Sequence, residues 1–282
     1  FKPREYQNLI INQILDKPRT AIWAGMGMGK TSSTLTALET MYLAGESRPT
    51  LVLAPLRVCN STWPEEAHKW AHLTEIDVQP VTGDEKNRLA ALKRDASIYA
   101  CNYQNIPWLV DHYGAHWPFG TVVADESTRL KSFRLRQGGV RAQALAKVAH
   151  KNVKRFINLT GTPAPNGLQD LWGQTWFLDA GQRLGRTYSA FTDRWFCRTA
   201  DGFGRELRSQ SAADEIYNKL RDICLTIEAR DWFDLNEPIV KEIEVEMPRS
   251  ARRLYDQLKK DLILQIEQHT ITAANAAVKT QK

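Results

Sequence analysis

The sequence has few cysteines and no arrangement of them that would hold a metal. The four cysteines lie far apart, none of them in a C-x-x-C pair, and the six histidines do not cluster. Structural zinc sites and disulfide frameworks need such grouping. We therefore expect neither, which fits a protein of a reducing cytoplasm.

Long apolar runs are also missing. No stretch approaches the roughly 20 apolar residues that cross a bilayer, and no basic segment followed by an apolar one opens the chain. We find no internal repeat and no low-complexity segment. With 282 residues, 43% hydrophobic and 25% charged, the chain has an ordinary globular composition, sufficient for one large α/β domain or two smaller ones. We expect neither a membrane protein nor a secreted one.

Acidic residues are absent from residues 127–169, in a chain whose formal net charge is +6. The basic residues of this span are Arg129, Lys131, Arg134, Arg136, Arg141, Lys147, Lys151, Lys154 and Arg155. Such an uneven distribution predicts binding to a polyanion. The alternative is that part of the span, helix-like at 141–150, is a solvated face, and that Arg155 only flanks a strand.

A glycine-rich run, residues 24–31 (AGMGMGKT), lies between an apolar stretch and a helix-forming run. Glycines let successive backbone N–H groups turn toward one anion, and a helix beginning near Lys30 adds its unpaired N–H groups and positive dipole end. In such a loop the lysine reaches the β- and γ-phosphates of a nucleoside triphosphate, and the hydroxyl of Thr31 ligates Mg²⁺. The alternative is a plain turn. The predicted nucleotide-binding residues are Gly25, Met26, Gly27, Met28, Gly29, Lys30, Thr31 and Ser32, with the two methionine side chains expected to pack rather than to act as ligands.

A second apolar run, residues 119–124, leads into Asp125 and Glu126. The carboxyl edge of a parallel sheet is where ligands bind. One carboxylate can hold the water shell of Mg²⁺ while the next orients and deprotonates an attacking water. We assign Asp125 to the metal and Glu126 to the general base, with Lys30 as the third catalytic residue. A solvated turn is the alternative.

Residues 155–163 (RFINLTGTP) repeat this pattern of a strand followed by hydroxyls and a glycine. Three segments resemble, in chain order, motifs I, II and III of superfamily 2 helicases. They are the run at 24–31, the DEST at 125–128 and the TGTP at 160–163. Ala24 replaces the first glycine of the general phosphate-loop pattern, as in the helicase form. Residues 53–58 (LAPLRV), with Trp63 soon after, resemble motif Ia, and residues 2–7 (KPREYQ) resemble the adenine-reading motif of the SNF2-like branch.

Within that branch, DESTRLK at 125–131 and LTGTPAPNGL at 159–168 look most like phage-encoded SNF2-type proteins. The resemblance covers essentially the whole chain. It implies a location in the cytoplasm of a bacterial or phage-infected host cell.

The resemblance also implies roles for particular residues. Gln7 would bind the adenine edge with Arg4 nearby, unless Gln7 is only a surface helix residue. Thr160, Gly161 and Thr162 would couple the nucleotide site to DNA. The expected contacts to DNA, through phosphates more than bases, are Pro55, Arg57, Thr82, Gly83, Asn102, Tyr103, Lys131 and Arg134. Tyr103 could equally be a packed ring at a strand end.

Near-continuous apolar strands alternating with helices predict a parallel sheet covered on both faces, which is the α/β architecture of a RecA-like P-loop NTPase lobe. The strand candidates are 20–24, 51–54, 77–81, 97–101, 121–124, 156–159 and 225–227. We expect residues 1–230 to form this lobe. Its aromatic-rich subregion, 170–220, should be helical, with rings that pack on the sheet rather than stack on nucleobases.

Residues 231–238 read as a linker, and 239–282 resemble the start of a second RecA-like lobe, with a half-exposed strand at 239–247 and a helix that opens at 248–250. On this interpretation the chain stops before the arginine-bearing motif VI, which would have to come from the second lobe in cis or from another copy in trans. We expect a lone first lobe to bind nucleotide better than it hydrolyses it.

The favoured function is that of an ATP-dependent DNA translocase or helicase of the SNF2-like type that uses Mg²⁺ and contacts the backbone of DNA, which we expect to be a duplex. One alternative is a module that binds DNA or protein without turnover. An RNA helicase is a weaker alternative, because the motifs resemble SNF2-type proteins rather than Asp-Glu-Ala-Asp RNA helicases.

Overall fold

The structure, a computed structural model, describes residues 2–199, 204–233 and 245–268, with the backbone alone for 261–268. The chain divides into two compact units, Phe1–Leu235 and Asn236–Lys282. In the second unit a helix occupies Arg249–Gln268, at the point where the sequence predicts one. Residues 245–247 lie in neither a helix nor a strand, and the rest of the predicted strand at 239–247 and residues 234–238 of the predicted linker lie outside the described residues.

The first unit is built on a sheet of seven parallel strands in the order β3-β4-β2-β5-β6-β1-β9. These strands are β1 (Arg19–Ala24), β2 (Thr50–Ala54), β3 (Val78–Val81), β4 (Ile98–Asn102), β5 (Thr121–Asp125), β6 (Arg155–Thr160) and β9 (Cys224–Ile227). All seven predicted strands are present. Three strands, β2, β4 and β5, are buried along their whole length, and β1 and β6 are buried at every residue but the first. Both faces of the sheet are covered, and this is why these strands read as apolar runs rather than as alternating patterns.

Helices cover both faces of the sheet. The helices are α1 (Glu5–Asp16), α2 (Lys30–Leu43), α3 (Trp63–Lys69), α4 (Glu85–Leu92), α5 (Ile106–Tyr113), α6 (Val140–Ala149), α7 (Leu171–Asp179), α8 (Tyr188–Trp195) and α9 (Gln210–Leu220). One core contains Ile10 of α1 and Leu35 of α2, while the other contains side chains from α4 to α9. Successive strand residues alternate between the cores, as Ile22 and Trp23 do. Among the described residues, no helix has the length and apolar character needed to cross a membrane.

The aromatic-rich subregion packs as predicted. Trp172, Phe177, Phe191, Trp195 and Phe196 are all nearly inaccessible to solvent. Their rings lie in one core together with side chains of the sheet, so they are not available to stack on nucleobases. The same subregion carries a feature that the sequence does not reveal, a short antiparallel pair of strands, β7 (Phe196–Arg198) and β8 (Arg205–Leu207).

Three arginines fasten the amino-terminal edge of the sheet to the loops around it. Arg19 donates hydrogen bonds to the carbonyl oxygens of Phe177, Ala149 and Val153 at 2.8, 2.7 and 2.6 Å. Arg155, the first residue of β6, donates to the carbonyls of Ile14 and Leu15 at 2.9 and 3.2 Å, so it caps the last turn of α1. Arg155 therefore flanks the sheet, which is the alternative to polyanion binding that the sequence left open.

Arg48, just before β2, is bonded to more carbonyl groups than either of the others. Its guanidinium donates to the carbonyl oxygens of Pro118, Phe119 and Asn152 at 3.1, 2.9 and 3.1 Å, and more weakly to that of Trp117 at 3.4 Å. A planar cation with several donors can satisfy this group of acceptors, whereas the single ammonium of a lysine cannot reach them all.

We predict that Arg48→Met lowers the free energy of unfolding by about 2 kcal/mol, because carbonyls that accepted charge-assisted bonds lose their partner while the apolar stem is kept. Urea unfolding followed by circular dichroism measures the change. Arg141→Met, at an exposed position on α6, is the matched control and should change stability by less than about 0.5 kcal/mol. Equal effects of the two variants would contradict the structural role of Arg48.

Candidate functional site

The predicted phosphate loop connects the end of β1 at Ala24 to the start of α2 at Lys30. Gly27 and Gly29 have φ angles of +76° and +69°, in the left-handed region that other residues rarely adopt. Gly29 is the residue that precedes the first turn of α2, and the N–H groups of that turn have no partner within the helix. The backbone therefore has the shape and donors of an anion-binding turn, in agreement with the choice of glycine at these two positions.

The two methionines of this loop behave differently. Met28 is 3% exposed and packs in the core with α1 and α2, as predicted. Met26 is 94% exposed, so the prediction that its side chain packs is wrong. Met26 lies in the turn itself, whereas Met28 lies just before α2.

Lys30 is the first residue of α2, and its side chain folds over the loop. Its Nζ donates to the carbonyl oxygens of Ala24 and Gly25 at 2.7 and 3.0 Å. Burial lowers the pKa of Lys30, and the negative charges of Asp125 and Glu126 partly offset this effect. The cation and both carboxylates are therefore close enough to interact. Ser32, on the same turn, is buried and donates from Oγ to the carbonyl of Gly29 at 3.1 Å, while Thr31 is half-buried.

Asp125 ends β5 and is held from several sides. Trp63 Nε1–H donates to its Oδ2 at 2.9 Å, the backbone N–H of Glu126 donates to its Oδ1 at 3.1 Å, and the Tyr103 hydroxyl donates to its carbonyl oxygen at 2.9 Å. Burial raises the pKa of Asp125, while the Trp63 hydrogen bond and the charge of Lys30 act in the opposite direction. A carboxylate that is 8% exposed and fixed by two donors suits the binding of a hard cation.

Glu126 adopts φ 57° and ψ 54°, a left-handed conformation that costs a non-glycine residue free energy. Because Glu126 has this conformation, the chain leaves the extended path of β5 immediately after Asp125. Glu126 itself is half-buried. Strain of this kind is typical of functional sites.

The third predicted motif lies against the first. Thr160 ends β6, is fully buried and accepts a hydrogen bond from the N–H of Thr162 at 3.1 Å. A Cβ on Gly161 would lie 3.3 Å from the carbonyl oxygen of Ala24 and 3.6 Å from the Cα of Gly25. The two loops are therefore in direct contact, and Gly161 permits this approach.

The predicted adenine-reading residues also reach this edge. Gln7 Oε1 accepts a hydrogen bond from the N–H of Arg4 at 2.9 Å, and Gln7 Nε2 lies only 2.2 Å from where a Cβ on Gly29 would be. Gln7 thus faces the phosphate loop and is not simply a surface residue of α1. The Arg4 guanidinium lies over the ring of Phe233, with 5.0 Å to its centroid.

The residues predicted to contact DNA have mixed surroundings. Arg57 is exposed and Pro55 is half-buried, in the segment after β2. After β3, Gly83 is exposed and Thr82 donates a hydrogen bond to Asn60 Oδ1 at 2.7 Å. These residues follow β2 and β3, two parallel strands that lie on either side of β4 and end at the same edge of the sheet.

Asn102, the last residue of β4, and Tyr103, which follows it, have side chains that are buried. Tyr103 is 1% exposed, so its side chain is the packed ring that the sequence offered as the alternative, and a contact of this ring with DNA is wrong. Asn102 is 7% exposed, and its amide is bonded to Gln104 and Asn105 at 2.9 and 2.8 Å.

Lys131 and Arg134 are engaged inside the protein. Lys131 Nζ lies 3.2 Å from Asp170 Oδ2. The Arg134 guanidinium lies 3.3 Å from the centroid of the Tyr188 ring and donates to the carbonyls of Lys131 and Phe133. Much of each side chain is therefore committed to holding this loop on the aromatic subregion, and less is available to DNA than the sequence predicts.

Residues 19–281 match the SNF2-related domain, which is nearly the whole chain. The chain belongs to the SNF2-related domain family. The family predicted from the motifs is thus confirmed, and so is the RecA-like α/β fold.

Relatives and solved structures agree with this assignment. Protein p41 of Acyrthosiphon pisum secondary endosymbiont phage 1 is 58% identical, over 100% of this chain and 62% of its own length. Helicase SWR1 of Yarrowia lipolytica is 26% identical, over 83% of this chain and 13% of its own. The chain therefore spans less than two thirds of the length of these curated relatives.

The Sulfolobus solfataricus SWI2/SNF2 ATPase core in complex with dsDNA has a similar fold, with a TM-score of 0.65 at 21% identity over 99% of this chain and 56% of that one. The structure of the ATPase core domain from the same organism gives a TM-score of 0.61 at 22% identity, over 95% of this chain and 53% of that one. At these identities the likeness establishes the shared fold.

Two side chains that shape the site of this SNF2-related domain were missed by sequence reasoning. Trp63 was noted only as part of motif Ia, although it donates the hydrogen bond that fixes Asp125. Gln174, in the middle of the apolar α7, is 4% exposed and bonded to Ser127 and to Pro163, next to motifs II and III. The only signal for Gln174 is a lone amide among aromatic and aliphatic residues, which does not identify its partner.

The raised pKa of Asp125 gives the SNF2-related domain a specific pH dependence. Because the pKa of this carboxyl is higher in the folded than in the unfolded state, its contribution to stability is present at low pH and is lost as pH rises through the folded pKa.

We therefore predict that Asp125→Asn, which keeps the shape but removes the buried charge, is more stable than the parent protein at pH 7. The advantage should shrink as pH falls toward the ordinary pKa of aspartate, about 3.9. Urea unfolding from pH 4 to pH 7 measures the difference, with exposed Asp111→Asn as the control for net charge. A variant less stable than the parent at pH 7 would contradict the prediction.

Proposed function

We propose that this chain is the nucleotide-binding lobe of an ATP-driven DNA translocase or helicase-like motor. The observation that carries the proposal is the meeting of three loops, after β1, β5 and β6, at one edge of a parallel sheet. Together they offer a glycine turn that leads into the first turn of α2, one lysine and two adjacent carboxylates. This is the set of groups that phosphoryl transfer to water requires.

In this proposal each group has one task. The N–H groups of residues 25–31 and Nζ of Lys30 hold the phosphates, and the amide of Gln7 faces the base beside Arg4. Glu126 orients and deprotonates the attacking water. Mg²⁺, when bound, neutralises charge on the phosphates and would be held by Thr31 and Asp125.

The donors present fit such a metal only in combination with a nucleotide. Within the described part of the chain, no group of three or more His, Cys, Asp or Glu side chains is placed to hold a metal ion. One carboxylate and one hydroxyl leave most positions of an octahedral ion to water and phosphate oxygens, which is how Mg²⁺ is usually bound at nucleotide sites.

We propose duplex DNA as the track. Arg57 is exposed, and Thr82 and Gly83 follow a strand that ends at the same edge. The Sulfolobus solfataricus SWI2/SNF2 ATPase core, which has the same fold, was solved in complex with dsDNA, and the relative SWR1 of Yarrowia lipolytica is a helicase. The second unit, Asn236–Lys282, is proposed to begin a second RecA-like lobe whose arginine completes the nucleotide site.

Two variants should affect the binding of Mg·ATP and its hydrolysis differently. We predict that Lys30→Ala weakens Mg·ATP binding by about 10- to 100-fold, since it removes charge-assisted hydrogen bonds to the phosphates. Glu126→Gln should bind Mg·ATP within about threefold of the parent protein and lose nearly all hydrolysis in the complete protein, because the amide cannot accept a proton.

Titration calorimetry gives the dissociation constants and phosphate release gives the rates. Lys93→Ala, at an exposed position after α4, controls for the loss of a lysine and should change neither quantity. Phosphate release by Glu126→Gln at the parental rate would remove Glu126 from the role of general base. A chain that binds DNA but neither binds nor hydrolyses ATP would instead favour the module that works without turnover.

The proposed track can be tested through salt dependence. Contacts to phosphates release counterions, so affinity for duplex DNA should fall steeply with salt and depend little on sequence. Arg57→Ala should reduce the slope of log affinity against log salt by about one unit. Arg134→Ala should instead lower thermal stability with little change in slope, because its guanidinium packs on Tyr188. An unchanged slope for Arg57→Ala, measured by fluorescence anisotropy, would contradict the contact.

A further inference from the structure

One face of α7 lies across the loops that follow β5 and β6. Gln174 uses its whole side-chain amide there. Its Oε1 accepts a hydrogen bond from Ser127 Oγ at 2.9 Å, and its Nε2 donates to the carbonyls of Pro163 and Asp170 at 2.7 and 3.0 Å. Its own carbonyl accepts from Asn158 Nδ2 at 3.0 Å. One buried side chain therefore joins the loop of Glu126 to the loop of Thr160–Thr162.

A second bridge lies one helical turn earlier. Asp170 Oδ2 accepts from Lys131 Nζ at 3.2 Å and from the backbone N–H of Asn166 at 3.0 Å. Lys131 belongs to the segment after Glu126, and Asn166 belongs to the segment after Thr162. Because residues four apart lie on the same face of a helix, the Asp170 and Gln174 bridges run side by side.

The backbone of α7 also approaches the first loop closely. A Cβ on Gly173 would lie 2.6 and 2.7 Å from the carbonyl oxygens of Lys131 and Leu130. Only glycine permits this distance, so the helix cannot carry a side chain at this position without moving away from the turn. The bridges are thus supported by direct contact between α7 and the segment that follows Glu126.

The presence of Gln174 calls for an explanation. Its neighbours Trp172 and Phe177 belong to the core, and an apolar residue would bury there without the cost of removing an amide from water. The amide is tolerated because both of its N–H donors and its carbonyl oxygen are hydrogen-bonded. Buried hydrogen bonds of this kind hold their partners in one arrangement, and here the partners belong to two loops that the proposed function places on the reacting phosphate and on the coupling to DNA.

We propose that Gln174 is a positioning residue that couples the Glu126 loop to the Thr160–Thr162 loop. Through Ser127 it fixes the direction of the strained Glu126, and through Pro163 it transmits a displacement of one loop to the other. This inference rests on the proposed function for its consequence in hydrolysis. The coupling itself is a property of the chain that can be measured without nucleotide.

The first arm of the test uses hydrogen–deuterium exchange on the protein without ligand. Ser127→Ala should speed exchange of amides in residues 160–167 by about three- to tenfold, although Ser127 lies in the other loop. Gln174→Met, which keeps the length of the side chain, should do the same, and the double variant should add little. Gln143→Met is the matched control, since Gln143 on α6 donates from Nε2 to the carbonyl of Arg134 at 3.0 Å and contacts neither Ser127 nor Pro163 by any hydrogen bond among the described residues.

The second arm measures ATP hydrolysis and Mg·ATP binding by the complete protein. Gln174→Met should lower kcat by about 10- to 100-fold through displacement of Glu126, with the dissociation constant for Mg·ATP within about threefold of the parent. Ser127→Ala should lower kcat in the same direction, and the double variant should be no slower than Gln174→Met alone. A general loss of structure would instead weaken binding as well.

The two arms distinguish a failure of the proposed coupling from a failure of the proposed function. Unchanged exchange at 160–167 in Ser127→Ala would overturn the coupling, whatever the activity. Faster exchange with parental kcat in both variants would overturn the positioning role of Gln174 while leaving the proposed function intact. Absence of hydrolysis in the parent protein would overturn the proposed function, and exchange would still decide whether the loops are coupled.

Discussion

The parallel pairing of β5, β6 and β1 is the constraint on which the site depends. Trp23 pairs with Thr160, and Asp125 with Leu159, so the three strands end at nearly the same level. The chain leaves each strand there as a loop, and the loops lie side by side because the strands that carry them end side by side. In a sheet buried on both faces, a slip of one residue would exchange the two cores, so the register is strongly fixed by packing.

Much of this arrangement could be predicted from sequence because its causes are local. Parallel strands covered on both sides are apolar runs, and all seven were found. The shape of the phosphate loop follows from the glycines at 27 and 29, because glycine is the residue type that readily adopts the left-handed backbone found there. The β7–β8 pair was missed because its strands are short and mostly exposed, so no periodic apolar pattern marks them.

The partners of the side chains could not be predicted in the same way. Lys131 and Arg134 look like free cations in a span without acidic residues, but Asp170 and the Tyr188 ring come from a later part of the chain. Trp63 is an ordinary core residue by type and Gln174 is a lone amide in an apolar helix, and only the fold brings them to Asp125 and Ser127. A charge pattern along the sequence thus overstates the free positive surface wherever tertiary contacts supply the compensating groups.

The contact between Gln7 and Gly29 links two positions that are distant in the sequence. Gln7 Nε2 occupies the space that a side chain at position 29 would need, and Gly29 also has a left-handed backbone. Position 29 is thus restricted twice, by its own conformation and by its neighbour, and relief of one restriction leaves the other. A side chain at position 29 therefore needs both a displaced Gln7 amide and a strained backbone, so shortening the side chain at position 7 alone does not make position 29 tolerant of substitution.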